Sequence, residues 1–307
     1  MLCLWQTPPN GVRQARVPQT PSAVRAALEA NGLAPLHRLG QHFLVDRRLC
    51  ARIADAVGAS GLRRSLEIGP GLGALTAALL EAGQSVIAVE IDHGLAHYLQ
   101  TEAMEAGDDL RVVEGDARTL PLAALADAGT TAFVGNLPYY ASAPLIRRAL
   151  SGRYPTIVLM LQREVAERLS APPASGGRGA LTVLREATST VRTLASVPAG
   201  AFYPRPEVAS VVVVLERRPD ALDAERYTGL ERLAGEIFRY RRKGLRQALR
   251  HGGALGADAV ERILRVADVD PARRPENLSL EEWLRLARAR ALEGGGVACL
   301  PAAPVGS

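Results

Sequence analysis

From residue 64 to residue 170 the chain alternates short apolar runs with amphipathic segments, and this rhythm limits the fold more than any other feature of the sequence. The apolar runs have the length of buried strands, and the segments between them carry the periodicity of helices. Such an alternation predicts a mostly parallel sheet that is covered by helices. The expected fold class is therefore α/β, with a doubly wound, Rossmann-like sheet.

The last third of the chain has a different texture. The runs "TVRTLASV" and "ASVVVVLE" are expected to add antiparallel strands at an edge of the sheet, whereas residues 225–293 that follow them are helical in pattern throughout. Ser279 and Glu282 form a capping-box pattern before the last helix. We therefore expect an α/β domain over residues 21–217 and a smaller all-helical domain over residues 218–293.

The two ends of the chain have compositions that are typical of disorder. Residues 1–20 are rich in proline, and residues 294–307 are dominated by glycine, alanine and proline. Neither segment shows the periodicity of a packed helix or strand. We expect a disordered extension at the start of the chain and a disordered tail at its end.

Overall composition limits the class of protein and its partners. No apolar run approaches the roughly 18 residues that span a bilayer, so a soluble, cytoplasmic protein without a membrane partner is expected. The three cysteines lie far apart and form no CxxC pair or Cys/His cluster, so no metal site and no disulfide framework are expected. A formal charge of +5 at pH 7 and a pI of about 9.4 suggest a polyanionic partner.

A glycine-rich turn, "EIGPGLGALT", follows the first strand of the alternating region and opens a helix. Gly69 and Gly71 allow a tight turn and a close approach of the backbone to a ligand. Acidic residues end three successive strands: Glu67, Glu90 and Asp116. Because such strand ends line one crevice of an open α/β sheet, these side chains are expected to meet there.

The acids suggest which ligand the crevice binds. Glu90 can accept hydrogen bonds from both hydroxyls of a ribose, and Asp116 can meet the exocyclic amine of an adenine. Nothing in the pattern requires a pyrophosphate, and S-adenosylmethionine has the corresponding shape. A nicotinamide-dependent dehydrogenase remains an alternative, because the glycine spacing also satisfies the dinucleotide fingerprint.

The sequence "NLPYY" follows the fourth strand, at the same edge of the predicted sheet. The carboxamide oxygen of Asn136 and the carbonyl of Leu137 could each accept one N–H of an adenine amine, which would free the nitrogen lone pair for methylation. Pro138 keeps the turn stiff, and Tyr139 offers a face on which a base can stack. Tyr140 is expected to pack. Catalysis would rest on positioning and preorganised acceptors, without a metal or a covalent nucleophile.

These motifs resemble the adenine-N6 dimethyltransferases of small-subunit ribosomal RNA, a family related to the erythromycin-resistance enzymes that act on large-subunit RNA. The similarity extends from about Leu36 to Leu292. The matching blocks, in order, are "LGQHFLVD", "EIGPGLGALT", "VEID", "GDA", "NLPYYAS", "MLQREVAERL", "AFYPRPEVAS", "FRYRRKGLRQAL" and "RPENLSLEEW". The resemblance implies S-adenosylmethionine as cofactor and two adjacent adenines near the 3′ end of 16S ribosomal RNA as substrate, modified on the immature 30S subunit by a monomeric enzyme.

The resemblance also implies roles for individual residues. The positions that would contact the cofactor are His42, Leu44, Gly69, Glu90, Asp116 and Asn136. His42 stands where the family usually carries asparagine, so a side-chain contact there would be altered and a backbone contact would survive. Phe202 would be the second aromatic that, with Tyr139, sandwiches an adenine flipped out of RNA.

A basic segment, "FRYRRKGLRQALRH", is the predicted contact with RNA. It contains no acidic residue, and on a helix or helix–turn it can present a basic face to phosphates. The residues predicted to bind RNA are Arg239, Arg241, Arg242, Lys243 and Arg246.

Three other functions remain open. A dehydrogenase would leave "NLPY" and the basic segment without a role. A non-catalytic ribosome-assembly factor would keep the RNA contact, although the motif residues are intact. A 23S RNA methyltransferase of the erythromycin-resistance type is the alternative within the methyltransferases, and the long helical domain favours the small-subunit enzyme over it.

Overall fold

The computed structural model of this chain describes residues 17–103 and 109–293. They form two compact units. The first contains the described residues up to Ala166 together with Thr190–Arg217, and the second contains Glu167–Ser189 together with the described residues from Arg218 onwards. Within the described residues, no helix has both the length and the apolar character that crossing a membrane requires.

The described residues form nine strands and twelve α-helices. The strands are β1 (Phe43–Leu44), β2 (Arg64–Ile68), β3 (Ser85–Glu90), β4 (Leu110–Glu114), β5 (Thr131–Asn136), β6 (Thr156–Gln162), β7 (Ser189–Val197), β8 (Phe202–Tyr203) and β9 (Ser210–Arg217). The helices are α1 (Pro21–Ala30), α2 (Arg47–Gly58), α3 (Ala74–Glu81), α4 (His93–Tyr98), α5 (Leu122–Leu125), α6 (Ser142–Ser151), α7 (Arg163–Ser170), α8 (Ala180–Glu186), α9 (Ala224–Phe238), α10 (Leu245–Gly252), α11 (Ala257–Ala267) and α12 (Leu280–Glu293).

The first unit is built on a seven-stranded sheet in the order β4-β3-β2-β5-β6-β9-β7. The first five strands in this order are parallel, and β9 pairs antiparallel with β6. The predicted α/β class and the antiparallel addition of "ASVVVVLE" are therefore confirmed. The strand order reverses between β2 and β5, so the crevice at their carboxyl ends is the place where such sheets bind ligands.

Apolar side chains of α2 and α3 pack on one face of this sheet. Ile53 and Leu79 lie against Val134 and Val158, and all four are 2% exposed or less. A second cluster, which includes Val24 and Leu28 of α1, surrounds Leu72 of the glycine-rich turn. Both clusters lie beside strand ends that line the crevice.

The second unit contains one segment that the predicted boundary placed in the α/β domain. Residues 167–189 belong with the helical unit because α8 packs against α9 and α12. The fully buried Arg178 also forms two hydrogen bonds, of 2.8 and 2.7 Å, with the carboxylate of Glu186. The contacts of α8 with α9 and α12 join segments that are distant in sequence, so composition alone did not reveal them.

The ends of the described chain bear on two further predictions. Thr20 caps α1 by accepting a 3.2 Å bond from the N–H of Ala23, and Val17 is buried, so residues 17–20 are ordered although the predicted extension includes them. The rest of that extension and the tail 294–307 lie outside the described residues. The capping box of α12 is confirmed: Ser279 N–H donates to Glu282 at 2.7 Å, and Glu282 N–H donates to the Ser279 hydroxyl at 3.2 Å.

Candidate active site

A cleft that is open to solvent lies at the carboxyl ends of β2, β3 and β5. The structure brings most of the predicted site residues to its wall. The predicted residues that line it are His42, Gly69, Gly71, Glu90, Asn136, Leu137, Pro138, Tyr139 and Phe202. The predicted cofactor residues Leu44 and Asp116 are not among the residues lining the cleft.

The glycine-rich turn adopts a backbone that other residues seldom accept. Gly69 and Gly71 have φ values of +70° and +59°, in the left-handed region. A Cβ on Gly71 would also lie 3.1 Å from the ring of Phe43. The turn therefore needs glycine at this position for two reasons, its conformation and its close packing.

Glu90 is fixed at the end of β3 by two backbone donors. The N–H groups of Gly71 and Asp92 each donate to its carboxylate at 3.0 Å. Burial raises the pKa of Glu90, and the two backbone hydrogen bonds act in the opposite direction. Because a carboxylate can accept about four hydrogen bonds, Glu90 retains acceptor capacity for hydroxyls of a ligand in the cleft.

Glu67 does not reach the cleft, contrary to the sequence prediction. Its side chain is 1% exposed and accepts a 2.7 Å hydrogen bond from the hydroxyl of Thr76 on α3. Burial raises the pKa of Glu67 to about 7, while the Thr76 bond lowers it. This carboxyl is part of the packing between β2 and α3.

The raised pKa of Glu67 predicts a loss of stability with increasing pH. The folded state holds this proton between the ordinary value of 4.5 and about 7, so stability falls as pH rises through that window. At about 1.4 kcal/mol per pH unit, the loss is on the order of 3 kcal/mol.

Glu67→Gln keeps a neutral acceptor for Thr76 and should remove this loss. Denaturant unfolding at about pH 5 and pH 8 measures it, with the exposed Glu81→Gln as control; equal pH dependence in wild type and Glu67→Gln would contradict the assignment.

Asp116 is held by a neighbouring arginine. Its carboxylate accepts the backbone N–H of Arg118 at 2.8 Å, and the guanidinium of Arg118 adds bonds of 2.7 to 3.0 Å. These bonds lower the pKa of Asp116. The predicted contact of Asp116 with an adenine amine stays a prediction.

Asn136 has a defined orientation at the end of β5. Its amide nitrogen donates to the backbone carbonyl of His42 at 3.1 Å. Since that carbonyl can only accept, the Asn136 Oδ1 is left to accept a donor in the cleft. The contact to His42 is made by its backbone, so it does not depend on the change from asparagine to histidine.

The rest of the "NLPY" loop is fixed by neighbouring strands. The N–H of Leu137 donates to the carbonyl of Met160 at 3.2 Å, and Leu137 is buried. Pro138 precedes a 3₁₀ turn over Tyr139–Ala141. Gly135, which sequence analysis missed, lets β5 approach β2: a Cβ there would lie 2.8 Å from the carbonyl oxygen of Ile68.

Two aromatic side chains at the cleft, Tyr139 and Phe202, are candidates for holding a base. The imidazole of His42 lies 5.7 Å from the ring of Tyr139 and makes a 2.8 Å hydrogen bond with the carbonyl of Pro204. Phe202 is brought to the cleft by the pairing of β8 with β1, where it lies opposite Leu44. Phe202 is only 2% exposed, so it belongs to the core as well as to the cleft wall.

The basic segment occupies the end of α9, the following turn and α10. Arg239, Arg241, Arg242 and Lys243 are exposed, and among the described residues they form no ion pair. Arg246 is different, because its guanidinium binds Glu261 at 2.6 Å. Of the five residues predicted to bind RNA, four are therefore exposed cations whose charge no ion pair compensates among the described residues.

The sheet, the glycine-rich turn and the crevice define the Rossmann-like class of S-adenosylmethionine-dependent methyltransferases. Over residues 36–289 the chain matches the family model described as ribosomal RNA adenine dimethylase. The chain therefore belongs to the ribosomal RNA adenine dimethylase family, which confirms the predicted enzyme class and removes the dehydrogenase alternative.

Individual relatives agree with this placement. A "Ribosomal RNA small subunit methyltransferase A" from Phenylobacterium zucineum is 40% identical over 273 residues, which cover 88% of this chain and 93% of that protein. The crystal structure of 23S rRNA methyltransferase ErmE is 27% identical, with a TM-score of 0.55 and coverage of 80% and 98%. A dimethyladenosine transferase from Plasmodium falciparum, 24% identical with a TM-score of 0.64, covers 82% of this chain and 98% of its own and shares the fold.

Proposed function

We propose that this chain methylates the N6 amine of two adjacent adenines near the 3′ end of 16S ribosomal RNA, during assembly of the 30S subunit. The name of the Phenylobacterium relative supports the small subunit as the source of the RNA. The observation that carries the chemistry is the orientation of Asn136, whose Oδ1 is free to accept an amine hydrogen. The enzyme would act as a monomer in the cytoplasm, where ribosomal subunits assemble.

The cleft contains residues that fit S-adenosylmethionine. Glu90 would accept the ribose hydroxyls, and Gly69 and Gly71 would leave room for the ligand beside the turn. The side chains of Ile91 and Leu95 provide an apolar wall for an adenine ring. When bound, this cofactor supplies an electrophilic methyl group.

The protein would activate the target amine by holding its hydrogens. Asn136 Oδ1 and the Leu137 carbonyl would each accept one N–H, which favours a pyramidal nitrogen with an available lone pair. Tyr139 and Phe202 would hold the two faces of the base, and stacking of this kind contributes roughly 1–3 kcal/mol for each base. These groups are fixed before the substrate arrives, so positioning supplies most of the rate enhancement.

A large-subunit substrate remains the second candidate, because the fold also matches ErmE. Labelled S-adenosylmethionine, incubated separately with immature 30S particles and with 50S precursors, separates the two. Mass spectrometry of the product should show dimethyladenosine on the 16S RNA alone. Label on 23S RNA only, or no dimethyladenosine at all, would refute the proposed function.

Replacing Glu90 tests the cofactor site. Glu90→Gln retains the size of the side chain but removes the charge, and hydrogen bonds to a charged group contribute about 1.5–3 kcal/mol. We expect affinity for S-adenosylhomocysteine, measured by calorimetry, to fall by about 10- to 100-fold, with RNA affinity unchanged. Because the pKa of Glu90 is raised, wild-type affinity should also fall as the pH is lowered through that pKa. Unchanged cofactor affinity in Glu90→Gln would remove Glu90 from the site.

A further inference from the structure

Tyr140 is exposed and lines the cleft, whereas the sequence predicted a packed side chain. The residue is 47% exposed, more than any other phenylalanine, tyrosine or tryptophan among the described residues. It follows Tyr139 directly in the chain and lines the same cleft. An exposed aromatic ring that lies one residue from the candidate base clamp is well placed to touch the same RNA.

The ring is supported rather than loosely attached. The guanidinium of Arg118 lies over it, 5.5 Å from the ring centroid. Arg118 is itself held by the Asp116 carboxylate. Arg148 on α6 fixes the loop backbone by donating to the carbonyls of Arg118 at 2.5 Å and Leu120 at 2.6 Å. The backbone of Gly40, with φ +58°, lies close enough that a Cβ there would come within 3.8 Å of Tyr140 Cδ1.

The charges around this ring indicate the kind of ligand that it would bind. Asp116 compensates the charge of Arg118, which makes the pair a poor site for a phosphate. The accessible part of the Tyr140 ring offers instead an uncharged, sequence-tolerant stacking surface of the type that binds bases of unpaired nucleic acid. Single-stranded RNA is recognised in this way, by stacking of splayed bases on aromatic side chains and guanidinium planes.

We infer that Tyr140, braced by Arg118, binds the RNA base next to the adenine that is being methylated. This inference rests on the proposed function, because a base must leave its stack before its amine can reach the cleft. Extrusion deprives the neighbouring base of a stacking partner, and Tyr140 supplies a replacement. With two adjacent adenines in the substrate, that neighbour is the other adenine when one of the two is the target, awaiting its own methylation or already modified.

The test uses a short RNA with the two adjacent adenines, one of which is replaced by 2-aminopurine. This analogue lacks the N6 amine, so the remaining adenine is the target and the analogue reports stacking of its neighbour. Fluorescence of the saturated complex is compared for wild type, Tyr140→Phe and Tyr140→Ala. We expect quenching in wild type and Tyr140→Phe, and a brighter complex with Tyr140→Ala. Val266→Ala, which shortens an exposed apolar side chain of the helical unit outside the basic segment, should leave the quenching unchanged.

Two further measurements complete the test. Tyr140→Ala should weaken RNA binding by about 5- to 100-fold, from the usual strength of one base–aromatic stack, and Tyr140→Phe should restore it. Affinity for S-adenosylhomocysteine should not change. Equal fluorescence and RNA affinity in Tyr140→Ala and wild type would overturn the inference, and so would a loss of cofactor affinity. A wild-type protein that does not methylate immature 30S particles would instead refute the proposed function, and the inference with it.

Discussion

Replacement of Asn136 by alanine is expected to lower the rate of methyl transfer by about 10²- to 10³-fold, the usual effect of removing one preorganised polar group from an active site. The structure gives the reason. The amide nitrogen of Asn136 is committed to the His42 carbonyl at 3.1 Å, so its oxygen is left to accept a donor in the cleft before any substrate binds. Alanine removes that acceptor and leaves the His42 carbonyl without its donor.

The measurement is a single-turnover rate with saturating cofactor and immature 30S particles, together with separate titrations of RNA and S-adenosylhomocysteine. RNA affinity should be nearly unchanged, because the proposed role of Asn136 is toward the reacting amine, and saturating cofactor keeps any change in cofactor affinity out of the measured rate. Asn31→Ala is a matched control: the Asn31 amide also donates to a backbone carbonyl, that of Ala27 at 2.8 Å, but it caps α1. Asn31→Ala should methylate at the wild-type rate. A rate for Asn136→Ala close to that of wild type would rule out amine activation by this residue.

The parts of the site that sequence predicts well are those fixed by sheet topology. Parallel strands end at one edge, so Gly69, Glu90 and Asn136 could be assigned to a common cleft from strand order alone. Strand order does not predict the direction of each side chain. Glu67 precedes the end of its strand by one residue, and because side chains alternate across a sheet it points under α3 and bonds to Thr76.

Local partners decide the features that sequence could not predict. Hydrogen bonds from Arg118, two residues further along the chain, orient the carboxylate of Asp116. The guanidinium of the same arginine lies over the exposed ring of Tyr140. The pairing of β1 with β8 joins two-residue strands that are distant in sequence, too short for any periodic signal, yet it determines where Phe202 lies. Gly135 has no signature either, since its role follows from the approach of the Ile68 carbonyl on a neighbouring strand.

Reversal of two charges in the basic segment should weaken RNA binding while sparing the cofactor. We expect Arg241→Glu combined with Arg242→Glu to reduce RNA affinity by at least about tenfold and to lower the salt dependence of binding by about one unit of slope per residue. Both guanidinium groups are exposed and uncompensated within the described residues, so they can release counterions from RNA phosphates. The measurement is RNA affinity over a range of salt concentrations, alongside calorimetry with S-adenosylhomocysteine.

A second double variant separates a local contact from the effect of net charge. Arg232→Glu with Arg265→Glu changes the net charge by the same amount, at exposed positions of the helical unit outside the basic segment. If the segment touches phosphates, this control should keep most of the RNA affinity and of the salt slope. Arg246→Gln should also have a smaller effect than loss of Arg241 or Arg242, because Arg246 already binds Glu261 at 2.6 Å. Equal losses in the two double variants would mean that net charge alone attracts the RNA, and wild-type affinity in Arg241→Glu/Arg242→Glu would exclude the segment from the interface.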